Sequence, residues 1–204
     1  MIVDLHTHTT ASDGTDSPAE LVRLAAAAGL ACVAITDHDT LEGSDEGAAA
    51  AEAIGLPFLR GLELSTRLLE EKTPQRRTAH ILGFFPESPG HAFRQWLGSL
   101  RAARRARNLA MIEKLRALGL ELTLEEAEAY GRSITGRPHI ARAMAARGYV
   151  QNLREAFDRY LHEGGPAYIE REDPPAREGI ERILQAGGIP SLAHMGRMHR
   201  HDED

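Results

Sequence analysis

The chain has 204 residues, 42% of them hydrophobic, and carries 24 basic against 30 acidic side chains, a formal net charge of -6. That length buries a substantial core as one domain or one domain with an insertion, and the acidic balance excludes a protein that coats nucleic acid through bulk positive charge. A single cysteine, Cys32, excludes an internal disulfide; the longest apolar run, Leu24 to Ile35, is broken by Gly29 and too short to span a membrane, and no basic-then-apolar leader opens the chain, so a cytoplasmic protein without an anchor is expected.

In chain order, Ile2-Val3-Asp4-Leu5 predicts a short β-strand running into His6 and His8, and the two-residue side-chain period places both imidazoles on one side of it. Two histidines on one face can share a metal. Asp13, on the loop that follows, adds an anionic oxygen that dications need nearby, and Gly14 lets the chain turn behind it. Ser17-Pro18-Ala19-Glu20 combines an N-cap hydroxyl, a first-turn proline and a capping-box glutamate, predicting a helix to about Ala28 that Gly29 closes. The nearly all-apolar Ala31 to Thr36 then reads as a strand buried on both faces, completing a β-α-β unit that ends in Asp37-His38-Asp39-Thr40. Cys32 within it is a packing residue.

An alanine-rich helix from Gly47 to Ile54, stopped by Gly55, precedes a third strand, Pro57 to Leu64, with Glu63 at its far end. A polar, hairpin-like stretch (Glu70 to Arg77) leads to a fourth strand, Thr78 to Phe85, bearing His80. The pattern then becomes helical. Between His91 and Glu163 the periodicity predicts an arginine-rich helix from Phe93 to Leu118, a second opened by the Thr123 to Glu126 capping box, and a third around His139 to Arg147. Strands resume with Pro166 to Ile169 and, after a helix from Ala176 to Ala186, with Ile189 to Ala193, which delivers His194. The expected organisation is residues 1–90 as the first part of a β/α domain, 91–163 as a helical insertion and 164–204 as its continuation.

His6, His8, Asp13, His38, Glu63, His80 and His194 are thus mostly at or just beyond the C-terminal ends of predicted strands, the rim where loops of a β/α barrel converge. Nitrogen and carboxylate donors without thiolate suit zinc, manganese or iron(II), and so many donors imply a cluster of ions rather than one. Such a cluster suits phosphate ester hydrolysis, because it activates water near neutral pH and clamps the charge developing on phosphoryl oxygens.

Asp4-Leu-His-Thr-His8, Ser12-Asp-Gly-Thr15, Ile35-Thr-Asp-His-Asp-Thr40, Glu63 and Ala193-His-Met-Gly-Arg197 occur in this order along nearly the whole chain. Together they resemble the motifs of the polymerase and histidinol phosphatase (PHP) superfamily, in particular its branch of 3',5'-nucleotide bisphosphatases and short-RNA 5'→3' exonucleases. The resemblance implies an α/β fold, a distorted seven-stranded β/α barrel with a helical insertion, and a divalent metal cluster of up to three ions (Mn, Zn or Fe). It implies that His6, His8 and Glu63 hold one ion and Glu63, His80 and His194 a second, that Asp13 and His38 contribute to a third, and that a metal-bridging hydroxide attacks phosphorus. The substrate implied is a small nucleotide or short RNA, with no stable nucleic-acid complex and no membrane partner. Alternatives are another PHP phosphomonoesterase, such as a histidinol-phosphate phosphatase, or a non-catalytic metal-binding remnant.

The family closes its site with an Asp-x-His well beyond the Ala-His-x-Gly-Arg motif, whereas this sequence ends at Asp204, so the barrel is expected to be incomplete at its C-terminal end and the outer ions weakened. Met195 stands where the family usually has proline, and His199, His201, Asp202 and Asp204 read as a solvated terminus. Gly136-Arg-Pro-His-Ile-Ala-Arg142 resembles a family motif in which Arg137 and His139 would contact the substrate's second phosphate, with Arg197 a further candidate. Arg94, Arg101, Arg104, Arg105 and Arg107 read as a salt-bridged helix face more readily than as an RNA track, and Trp96 and Tyr160 as packing residues.

Overall fold

The structure, a computed structural model, describes residues 1–68, 77–131 and 134–195. Strands β1 (Val3–Thr7), β2 (Cys32–Ile35), β3 (Phe58–Leu68), β4 (Arg77–Phe85) and β5 (Ile189–Leu192) form one mixed sheet in the order β1-β2-β3-β4-β5. The first three are parallel and are joined by helices α1 (Pro18–Ala27) and α2 (Glu42–Ile54). Helix α1 begins where its capping box requires: Ser17 Oγ accepts from the Glu20 N–H at 3.3 Å, and the Ser17 N–H donates to Glu20 Oε2 at 2.9 Å. Val33, Ala34 and Ile35 of β2 are fully buried, and Val33 and Ile35 pack with Val22 and Ala25 of α1 and Ala51 of α2. Helix α2 starts at Glu42, earlier than its alanine content suggests, because Glu42 and Asp45 complement the dipole of its first turn.

Strand β3 runs four residues past the expected end at Leu64, because β4 pairs with it antiparallel from Arg60↔Phe85 to Leu68↔Arg77. Most of the predicted hairpin stretch between them lies outside the described residues. Strand β5 adds antiparallel to β4 at the edge, where Pro190 is tolerated. Helix α7 (Ala176–Gln185) lies close on β3, near Leu64 and Thr66.

The residues divide into two units, 1–98 with 173–204 and 99–172. The second is helical: it takes the later part of α3 (His91–Ala117), then α4 (Leu124–Gly131), α5 (Arg137–Ala146) and α6 (Leu153–Ala156), which runs into a π-helical turn at Phe157–Leu161. Met111, Ile112, Leu115, Ile140, Met144 and Leu161 are the bulk of its core. The strand predicted at Pro166 to Ile169 is absent. Ala167 is instead buried in that core, and the backbone turns, the Tyr168 N–H donating to Gly165 O at 3.0 Å and the Ala167 N–H to Tyr160 O at 3.1 Å. The carbonyls that a ladder would have used accept from Lys114 Nζ at Tyr168 and from Arg107 Nε at Ile169, both 2.8 Å. Among the described residues no helix is long and apolar enough to cross a membrane.

The close approach of α7 to β3 is testable at Gly179. A β-carbon there would stand 2.7 Å from Leu64 Cδ2 and 3.0 Å from Thr66 Cγ2, and both side chains are buried. Gly179→Ala gains up to about 1 kcal/mol of helix propensity but overpacks a filled contact at about 1–3 kcal/mol. A net loss of about 1 kcal/mol is expected in urea unfolding; a stabilised variant would contradict the close packing.

Candidate metal centre

Residues in β1, β3 and β4, others just past the ends of β1, β2 and β5, and Asp13 on the loop after β1 bring the candidate side chains together. His6 lies in β1 and His8 one residue past its end. Past the end of β2 the chain stays beside β3: the Glu63 N–H donates to Asp37 O at 3.1 Å and the Asp39 N–H to Glu63 O at 3.0 Å, forming a parallel bridge between His38 and Glu63. To keep that bridge Asp39 adopts φ +52°, a left-handed conformation that aspartate tolerates better than most residues, while its Oδ1 accepts from the Ser65 N–H at 2.7 Å. In the β3-β4 ladder Leu82 stands opposite Glu63 and His80 opposite Ser65, so His80 shares the face of Glu63 two residues along. The Ala193 N–H donates to His80 O at 3.0 Å, which sets His194 beside His80 as the chain leaves β5.

All seven residues line one open cleft of about 410 Å³. Glu63 is its centre and is only 1% exposed. His6 Nε2 and His8 Nε2 face Glu63 Oε2 at 2.8 and 3.0 Å, and His80 Nδ1 and His194 Nε2 face Oε1, each at 2.7 Å. At the mouth Asp13 lies 3.4 Å from His8 Nδ1 and 3.8 Å from His38 Nε2. The imidazoles crowd one another, with centroids 4.7 Å apart for His8 and His38 and 5.1 Å for both His38–His80 and His80–His194.

Burial pushes the Glu63 carboxyl up, but the imidazoles of His8, His80, His38 and His6 more than offset it and hold it far below the usual carboxylate range. Burial likewise pulls His8 down, and there too its hydrogen bond to Glu63 and the charges of Glu63, Asp13 and Asp37 win, so His8 is raised. At His38 burial prevails, aided by His8 and His80 against the pull of Glu63 and Asp13, and the group is lowered. His38 Nδ1 is moreover a buried nitrogen with no hydrogen-bond partner. A buried nitrogen without a proton partner, among imidazoles and carboxylates too close to be charged together, is what a cation-binding donor set presents. Among the described residues donor atoms converge in three groups, His6-His8-Glu63, His8-Asp13-His38 and His38-Glu63-His80. The residues fit a site for divalent cations.

Other candidates have different surroundings. Arg137, in the second unit, donates to Leu161 O at 3.2 Å and its guanidinium lies 5.8 and 5.4 Å from the Phe157 and Tyr168 rings. His139 Nδ1 accepts from the Gly136 N–H at 3.0 Å, closing the cap of α5. Arg197 and the residues from His199 to Asp204 lie outside the described residues. Arg94 forks onto Asp45 at 2.6 and 3.1 Å, Arg105 onto Glu128 at 2.8 Å, and Arg107 is pulled down to about 10 by burial and by Arg137, Arg171 and Arg104 nearby. Arg94 and Arg105 are thus paired with carboxylates, and Arg107 donates to Ile169 O. Trp96 packs on Phe93 and under Arg182, and the Tyr160 hydroxyl accepts from Arg159 at 2.7 Å. What the motif reading left without a task is Asp37, fully buried and triply hydrogen-bonded.

The PHP domain family model matches residues 4–185. A 5'-3' exoribonuclease of Haemophilus influenzae is 37% identical over 191 residues, covering 94% of this chain and 68% of that protein. A 3',5'-nucleoside bisphosphate phosphatase of Chromobacterium violaceum is 34% identical over 197 residues, 96% of this chain and 67% of that one. Among solved structures, a Bifidobacterium adolescentis protein assigned as a metal-dependent phosphoesterase superposes with a TM-score of 0.78 at 35% identity, covering 98% of this chain and 69% of its own. The chain thus spans about two thirds of the length of these relatives.

Cation binding requires neutral imidazoles. His38, lowered, is already neutral near pH 7, whereas His8, raised, holds its proton to higher pH and must release it. Affinity for Mn²⁺ is therefore expected to rise between about pH 6 and 8, with proton release visible when calorimetric titrations at about pH 6.5 are compared across buffers of different ionisation enthalpy. Affinity that does not change with pH, with no proton release, would contradict the placement of His8 in the donor set.

Proposed function

The chain belongs to the PHP family, and on that premise we propose that it is a metal-dependent phosphoric ester hydrolase that removes the 3'-phosphate of nucleoside 3',5'-bisphosphates and trims short 5'-phosphorylated RNA. The observation that carries this reading is the convergence of five histidines, Asp13 and the buried Glu63 on one cleft. With neutral imidazoles the cleft has two carboxylates and repels an anionic phosphate ester. Cations reverse that: divalent ions held there supply the positive charge that activates water and stabilises charge developing on phosphoryl oxygens.

The proposed ligands are His6, His8 and Glu63 for one ion, Glu63, His80 and His194 for a second, and Asp13 with His38 for a third, the ions being manganese, zinc or iron. Glu63 anchors the set, because a carboxylate ionised well into the acid range offers both oxygens at once. His38 presents an unprotonated nitrogen without first losing a proton. Asp13, about half exposed at the mouth, is placed where entering substrate and solvent meet the donors. Arg137 and His139 are the proposed contacts for the second phosphate, Arg137 because its guanidinium is already held by Leu161 O and the Phe157 and Tyr168 rings and loses little freedom on binding an anion. Arg197 is carried on its motif alone.

The proposal includes the family's distorted seven-stranded barrel, of which residues 1–90 and 164–204 are a part incomplete at its C-terminal end, interrupted by a helical insertion at 91–163. Exposed Ile2 and Val3 at the β1 edge, and Ile189 and Leu192 on β5, are apolar positions that a barrel would cover. The test is phosphate release from a nucleoside 3',5'-bisphosphate, a nucleoside monophosphate and histidinol phosphate, with Mn²⁺ and after chelation. Metal-dependent preference for the bisphosphate is expected, with a loss on the order of 100-fold or more in His8→Ala and a KM increase of about tenfold or more for the bisphosphate alone in Arg137→Ala. Undiminished release by His8→Ala, or equal use of all three esters, would overturn the reading.

A further inference from the structure

Asp37 is 0% exposed and stands one residue before His38, yet it is in none of the convergent donor groups. A buried carboxylate is costly unless fully hydrogen-bonded. Its Oδ1 accepts from the Thr9 N–H at 2.7 Å and from Ser12 Oγ at 2.6 Å, and its Oδ2 from Thr9 Oγ1 at 2.7 Å. Every donor lies between His8 and Asp13. The same short stretch is wound around Thr9, whose carbonyl accepts from the Ser12 and Gly14 N–H groups at 3.0 and 2.9 Å and whose hydroxyl accepts from the Ala11 N–H at 3.1 Å. On the far side the carboxylate abuts the first turn of α2 at Gly43: a β-carbon there would collide with Asp37 Oδ2 and stand 2.7 Å from Thr9 Oγ1. The N-terminal end of a helix favours an anion placed against it.

One carboxylate therefore ties the loop that carries His8 and Asp13 to the segment that carries His38, and these are the residues of one convergent donor group. Ser12, while donating to Asp37, also lies 3.3 Å from Asp13 Oδ1 and 3.5 Å from His8 Nδ1, so it touches both ends of the loop's donor pair. We propose that Asp37 is a positioning residue: its buried carboxylate, through Thr9 and Ser12, sets His8 and Asp13 at the distance from His38 at which the three bind a divalent cation. An aspartate is required because both oxygens must accept. An asparagine has one accepting oxygen for three donors, and its amide nitrogen in place of Oδ2 would take the acceptor from the Thr9 hydroxyl, which already accepts from the Ala11 N–H.

The inference rests on the cation-site reading above, and the test separates the two. Co²⁺ is titrated into the full chain and into Asp37→Asn and Ser12→Ala, following the visible d–d absorption and the bound metal by elemental analysis, with thermal unfolding recorded for each. Expected is a 10- to 100-fold weaker outer class of Co²⁺ sites in Asp37→Asn, a smaller shift in the same class in Ser12→Ala, and an unchanged tightest class. Wild-type affinity and absorption in Asp37→Asn overturn the inference, as does an equal weakening of every class, which marks a purely structural role. Should Asp37→Asn not fold, Ser12→Ala, which removes one donor and leaves the carboxylate, decides by the same readout. A wild-type chain that binds no Co²⁺ defeats the cation-site reading itself, and the inference with it.

Discussion

Four imidazole nitrogens within 3.0 Å of one buried carboxylate define the constraint on which the rest of this structure depends. A glutamate with almost no exposure loses its hydration, and only a dense set of cationic or hydrogen-bonding partners makes its ionised form the stable one. Glu63 has that set, and the balance between burial and its partners settles on ionisation. The partners are shared among themselves, however: His8 is raised and His38 lowered by the same neighbourhood, so the cluster cannot hold a proton on every ring. A site that must carry positive charge but cannot carry it all as protons is suited to metal cations.

The fold meets this constraint by using strand direction. His6, His8 and His38 come from the C-terminal ends of parallel strands, whereas His80 comes from the early part of β4. They reach the same rim because β4 runs antiparallel to β3, and its fourth residue stands where a parallel strand's last residue would. The bridge between His38 and Glu63 extends the parallel pairing past the end of β2 at the cost of a left-handed Asp39. Departures from regular geometry thus gather at the cluster, where local preference gives way to placement of side chains.

Much of this was legible in the residues. The capping box at Ser17, the apolar run of β2 and the histidines beside strand ends are local signals, and the elements they predict are present. Pro166 to Ile169 forms no strand because its apolar residues serve burial of Ala167 in a helical core, not pairing, and its carbonyls are claimed by Lys114 and Arg107 from far along the chain. The antiparallel course of β4 agrees with the hairpin-like stretch read before it, whereas periodicity alone carries no strand direction. Asp37 shows a further limit: nothing in its local sequence gives it a task, because that task depends on donors 25 and 28 residues earlier and on the space left by Gly43. Of the arginine run, Arg94 and Arg105 pair with carboxylates as a salt-bridged helix face would, whereas Arg107 donates to a backbone carbonyl.

The central claim is that cations, not protons, complete the Glu63 cluster. Anomalous X-ray scattering from crystals grown with Mn²⁺, recorded on either side of the manganese absorption edge, tests it most directly. Expected is at least one anomalous peak within about 2.0–2.5 Å of a Glu63 oxygen and of imidazole nitrogens around it. Crystals of folded protein with no anomalous density in this cleft at saturating Mn²⁺, and none with Zn²⁺ at its own edge, would contradict the account.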